Sequence, residues 1–118
     1  MAVTLNQRGY DHAKKLVKDG QAVRDDRDAW SEHRPSAAQE NAYIEKHGID
    51  GYARWHLGVD DGHGEGTKSR YKFPYGDLER VHRCGVLSAE ARAAQNDYAD
   101  IEVAAAHLHG LLDGSAQD

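Results

Sequence analysis

The sequence predicts an all-α fold: one domain of four to five helices, closed by a C-terminal helical hairpin and interrupted by a long Gly-rich central loop. Three observations predict it. Apolar residues recur at three- and four-residue intervals over 4–18, 36–47 and 77–113. Residues of the helix-capping type stand ahead of these runs. Only one segment, Tyr71-Lys-Phe-Pro-Tyr75, alternates like a strand, and it has no evident partner.

The elements follow in order. Thr4 with Gln7 reads as a capping box, and Leu5, Gly9, Ala13, Leu16 and Val17 share one face, so a helix is expected over 4–18 with Gly20 as its stop. Residues 21–35 are dense in charge and hold the isolated Trp30, which either pins a solvated connector to the core or anchors a partner. Ser36 and Gln39 form a second capping box, opening a helix that stops at Gly48. A short third helix is expected from Asp50, with Ile49, Tyr52, Ala53 and Leu57 on one face and Gly58 at its end. Residues 59–68 carry three glycines and read as loop. Phe73 precedes a proline and is pushed toward extended backbone. Asp77 is the expected N-cap of the hairpin's first helix, whose inner stripe is Leu78, Val81, Gly85 and Ala89, with Ala93 continuing its small residues. Asn96-Asp97 makes the turn, and Tyr98, Ile101, Ala105, Leu108 and Leu112 form the buried face of the last helix. The domain spans 1–113, and 114–118 is expected to be a disordered tail.

Length and composition bound the function. A chain of 118 residues makes one modest core, and with 39% hydrophobic against 30% charged residues that core is small. A formal charge of −5 argues against a free-standing nucleic-acid binder. Eight histidines would carry the chain to +3 if all were protonated, so neutrality falls within the histidine range. The single cysteine, Cys84, forbids an intramolecular disulfide or a Cys-rich zinc finger. No basic-then-apolar leader and no membrane-length apolar run occurs, which predicts a cytoplasmic protein.

Four groups of residues carry chemistry. His82-Arg-Cys84 places a base beside a thiol, but two positions apart on one helix they face different ways, which favours a buried structural cysteine. His107 and His109 have the same spacing, about 200° apart on a helix. Together His82, Cys84, His107 and His109 are the candidate ligands of a zinc or copper ion held across the hairpin. The loop Asp60-Asp-Gly-His-Gly-Glu65 has cation-binding oxygens without the order of a calcium loop. Lys68, Arg70 and Lys72, interleaved with Tyr71 and Phe73, could stack and contact single-stranded nucleic acid, or simply pack. No Ser-His-Asp elbow, P-loop, dinucleotide fingerprint or HExxH occurs, so nothing positive points to an enzyme.

Trp30-Ser-Glu-His33, Pro35-Ser36, Tyr52-Ala-Arg-Trp-His-Leu-Gly58, Tyr71-Lys-Phe-Pro-Tyr-Gly-Asp77 and Ala106-His-Leu-His-Gly110 together resemble a family of small stand-alone bacterial proteins without assigned activity. Residues 71–112 are also similar to short helical segments beside phage prohead-protease or capsid-associated proteins, a resemblance that implies a protein–protein accessory role. The expected function is therefore a small interaction module or accessory subunit, acting on a protein partner or as a homo-oligomer. Its contact surface would centre on Trp30, Trp55, Tyr71, Phe73 and Tyr75, because aromatic anchors dominate interface energies. A metal-binding protein and a nucleic-acid-binding accessory protein are the alternatives.

Overall fold

A computed structural model describes residues 3–26, 29–64 and 66–115. The chain order is β1 (Val3–Leu5), α1 (Gln7–Lys18), β2 (Ala22–Val23), α2 (Trp30–His33), α3 (Ala37–Ala53), β3 (His56–Asp60), a 3-10 turn (Lys68–Arg70), β4 (Tyr71–Pro74), β5 (Val81–His82), α4 (Arg83–Gln95) and α5 (Ala99–Ser115). Helices dominate, but the all-α expectation is corrected by two sheets. An antiparallel sheet has the order β1-β3-β4, and β2 and β5 form a parallel pair.

The strand that lacked a partner in the sequence has one in β3. His56 pairs with Pro74, Gly58 with Lys72 and Val59 with Tyr71. On its other side β3 takes β1, with Thr4 opposite Val59 and Leu5 opposite Gly58. Thr4 is thus a strand residue rather than a cap. Asn6 is the N-cap of α1, and its side-chain amide instead donates to the carbonyls of Ala53 and His56. Leu57 and Gly58, expected at the end of a helix, are interior strand residues. Gly58 is needed there because a Cβ would lie 2.8 Å from Phe73 and 3.2 Å from Ile101 of α5.

Phe73, expected in extended backbone ahead of Pro74, instead has φ 62, whereas the following expectations agree in place. Gly20 has φ +80 just past α1. The Ser36–Gln39 capping box is formed at α3, and Gly48, at φ 78 and ψ 169, interrupts that helix. Ile101, Ala105, Leu108 and Leu112 are fully buried along α5, with Tyr98 packed at their edge. Ala89 and Ala93 of α4 join the same core. The expected tail begins inside α5, and residues 116–118 lie outside the described residues.

Asp77 does not begin the hairpin. Its Oδ1 accepts the backbone N–H groups of Glu79 at 2.9 Å and Arg80 at 2.7 Å, closing a turn in which Leu78 adopts φ 72. The chain then pairs as β5 before α4 begins at Arg83, with His82 as its N-cap. Among the described residues no helix is long and apolar enough to cross a membrane.

Candidate metal centre

The parallel pairing of Ala22 with Val81 and Val23 with His82 sets the site. Two residues beyond that register, Asp25 stands opposite Cys84. The Cys84 backbone N–H, one of the unpaired donors in the first turn of α4, donates to Asp25 Oδ1 at 2.8 Å. Asp25 therefore caps a helix from a distant segment, with the helix dipole favouring its negative charge.

The second oxygen of Asp25 is a hub. His33 Nδ1 and His82 Nδ1 each lie 2.7 Å from Oδ2, and Cys84 Sγ lies 3.2 Å from it. Cys84 Sγ and His33 Nδ1 are 3.7 Å apart. One ligand atom from each of Asp25, His33, His82 and Cys84 falls within 4.8 Å of all the others. The His33 ring lies 4.9 Å from the His82 ring, at the end of the short helix that Trp30 begins. The Trp30 indole is buried, 2.9 Å from the position a Cβ on Gly85 would occupy, and His33 follows three residues on, on the same side of α2. His82 is fixed from behind, its Nε2 lying 2.8 Å from Asp77 Oδ2.

The electrostatics follow from this packing. Burial pushes the Asp25 carboxyl up, but hydrogen bonds from His82 and from the Cys84 amide and thiol outweigh it and hold the group down at about 2. Burial disfavours charge on His82, yet its bonds to Asp25 and Asp77 raise its pKa above the ordinary histidine value. Burial, then the hydrogen bond and negative charge of Asp25, push the Cys84 thiol up to about 12. The start of a helix would favour a thiolate, but a carboxylate on the sulfur is the stronger influence. Without a cation the thiol stays protonated at neutral pH and is no nucleophile.

A tetrahedral zinc ion has ligands at ~2.0–2.3 Å, which puts nitrogen and oxygen ligands about 3.3 Å apart and nitrogen and sulfur about 3.5 Å apart. The Cys84–His33 separation of 3.7 Å is already close to that edge, whereas the 2.7 Å Asp25 contacts are too short for it. An ion would take the place near Oδ2 where three donors converge, and the carboxylate would withdraw by roughly half an ångström. A doubly charged cation with one thiolate, one carboxylate and two neutral imidazoles is neutral as a unit, which suits a largely buried site. The site borders a cleft of about 320 Å³ lined by Glu32, His33, Arg34, Pro35, Gln39, Asp77, Glu79 and His82.

This constellation keeps half of the expected ligand set and replaces the rest. His82 and Cys84 converge because His82 is in extended backbone ahead of α4, so the helical divergence of positions two apart does not apply. His107 and His109 do not join them. His107 Nδ1 hydrogen-bonds the Tyr10 hydroxyl, and His109 bridges Glu90 at 3.2 Å and Asp113 at 3.0 Å on α4 and α5. Asp25 and His33 were not expected as ligands. Their only trace in the sequence is a lone tryptophan pinning a charged segment, which carries no metal-ligand spacing.

Most of the aromatic residues expected to form a contact surface lie inside the protein. Trp55 is 4% exposed and Tyr75 0%, both in the main core, and Trp30 is 8% exposed beneath the metal-type cluster. Trp55 Nε1 donates to the Tyr43 hydroxyl at 3.0 Å, and the Tyr75 hydroxyl donates to the Arg54 carbonyl at 2.6 Å. Tyr71 and Phe73 are half-buried on β4, so the five do not form an exposed strip. The basic residues beside them are engaged in part. Lys68 pairs with Glu40 at 3.0 Å, and Arg70 lies 3.9 Å from Asp61 and donates to the His63 carbonyl. In the acidic loop, Asp60 Oδ1 accepts the Gly62 N–H in a local turn, and Glu65 lies outside the described residues. No family model, curated protein or solved structure matches the chain.

Proposed function

We propose that the protein binds one divalent transition-metal ion through Asp25, His33, His82 and Cys84, with zinc as the first choice. The observation that carries this reading is the convergence of two imidazole nitrogens and a thiol on one carboxylate oxygen, from two segments far apart in sequence. The mixed N, O and S donor set suits borderline ions such as zinc and cobalt(II), and disfavours magnesium and calcium. Four protein ligands fill a tetrahedral ion, so its first role is to hold structure: it ties the segment of Asp25 and His33 to the start of α4. Binding displaces the thiol proton of Cys84 and the Nδ1 proton of His82. Trp30, Trp55 and Tyr75 lie in the core, so a partner-contact reading would rest on Tyr71, Phe73 and other residues.

The test is a cobalt(II) titration of chelator-treated protein, followed by absorbance. One equivalent per chain is expected, with a thiolate-to-cobalt charge-transfer band that disappears in Cys84→Ser and a weaker complex in His33→Ala. Uptake without that band, or no uptake, would leave Asp25 as a helix cap only and overturn the proposal.

A further inference from the structure

We infer that Asp77 is a positioning residue for the metal centre: it holds a proton on Nε2 of His82, so that Nδ1 is the nitrogen that gives up its proton and offers its lone pair to the ion. The inference rests on the metal reading above. It is carried by the way each oxygen of Asp77 is committed. Oδ1 is held by two backbone donors, Glu79 N–H and Arg80 N–H, inside a turn closed by the Asp77 N–H donating to the Arg80 carbonyl at 3.1 Å. Only Oδ2 remains for His82, and it meets Nε2 at 2.8 Å. A carboxylate oxygen can only accept, so Nε2 must carry a proton. Nδ1 is the atom that points at the site, where it donates to Asp25 Oδ2 at 2.7 Å, so its proton is the one an ion would displace while Asp77 keeps Nε2 protonated. Metal-bound histidines commonly donate their second ring N–H to a carboxylate in this way.

The turn is built to hold this arrangement. Leu78, a non-glycine residue at φ 72, occupies the left-handed region at its centre. The turn lies between Gly76 and Val81, which bridge to each other, and Val81 also donates to Gln21 on the β2 side. The same short hairpin therefore delivers His82 and orients it.

Asp77→Asn separates this role from simple support. The two backbone donors require the amide oxygen at the Oδ1 position, which leaves the amide NH₂ facing His82 Nε2. Nε2 must now accept, the proton moves to Nδ1, and the lone pair needed by the ion is lost. Asp77→Ala removes the acceptor but lets water take its place, so the correct tautomer stays accessible.

Zinc affinities of wild type, Asp77→Asn and Asp77→Ala are measured by chelator competition, and the His82 tautomer is read from imidazole ¹⁵N spectra. The expected result is an affinity loss of about 10–100-fold for Asp77→Asn, a smaller loss for Asp77→Ala, and a proton on Nε2 of His82 in both metal-free and zinc-loaded wild type but on Nδ1 alone in metal-free Asp77→Asn. If Asp77→Asn does not fold, the Ala variant decides, since unchanged affinity there overturns the inference. Wild-type affinity in Asp77→Asn, or a greater loss in Ala than in Asn, overturns the tautomer role while the metal reading stands. A wild type that takes up neither zinc nor cobalt overturns both.

Discussion

His56 makes the stability of this fold depend on pH in a way that can be worked from its surroundings. The ring is 2% exposed, packed against Tyr52 at 4.5 Å between centroids, and its Nδ1 lies 3.0 Å from the Tyr52 carbonyl. A carbonyl only accepts, so Nδ1 carries the proton of a neutral imidazole. Burial lowers its pKa from 6.5 to about 4, the bond to Tyr52 opposing this only in part. The unfolded chain therefore binds a proton at this residue before the folded protein does. The stability His56 contributes is whole above about pH 6.5, falls as pH drops through the interval to about 4, and is level below that. At 1.36 kcal/mol per unit, the full interval corresponds to about 3 kcal/mol, and the step from near pH 8 to near pH 5 to about 2 kcal/mol. That is a large part of the total for a domain of this size. The assay is urea unfolding of wild type and His56→Asn with chelator present. Asn keeps a donor toward Tyr52 but does not titrate, and the other ionisable groups cancel in the difference. The stability gap between the two proteins should narrow by about 2 kcal/mol from near pH 8 to near pH 5. A gap that does not change with pH would refute the neutral, desolvated His56.

Two further perturbations test the packing around the site. Gly9→Ala would place a Cβ 1.9 Å from the His56 carbonyl oxygen, a backbone atom that cannot turn aside, so α1 must lift off β3; a loss of about 3 kcal/mol or more is expected, and an unchanged melting temperature would show that α1 does not cross β3 there. Tyr75→Phe keeps the buried ring but removes the hydroxyl that reaches the Arg54 carbonyl at 2.6 Å and His12 Nδ1 at 3.0 Å; urea unfolding should show a loss of about 1–2 kcal/mol, and no loss would mean that water replaces the hydroxyl.

The amino-acid sequence by itself determined the features that depend on neighbours three or four residues away. The buried stripe of α5, the Ser36–Gln39 capping box, the breaks at Gly20 and Gly48 and the turn at Asn96-Asp97 are all of this kind. Each is a local balance of apolar periodicity, backbone hydrogen bonding and left-handed φ, and it is visible without the rest of the chain. Only the tertiary structure decided the strands, because segments of two to five residues are stabilised by partners distant in sequence rather than by their own pattern. Trp55 and Tyr75 were drawn inside for the same reason: β3 and the chain leaving β4 bring them together. The metal-type cluster shows the limit most sharply. His82 and Cys84 were legible as reactive groups, but the helix expected to begin at Asp77 would have turned them apart. The strand pairing of β2 with β5 delays that helix to Arg83 and carries in Asp25, while the short helix that Trp30 begins carries His33. Those contacts close long loops, and their free energy comes from the shared core, so no local spacing in the chain encodes them.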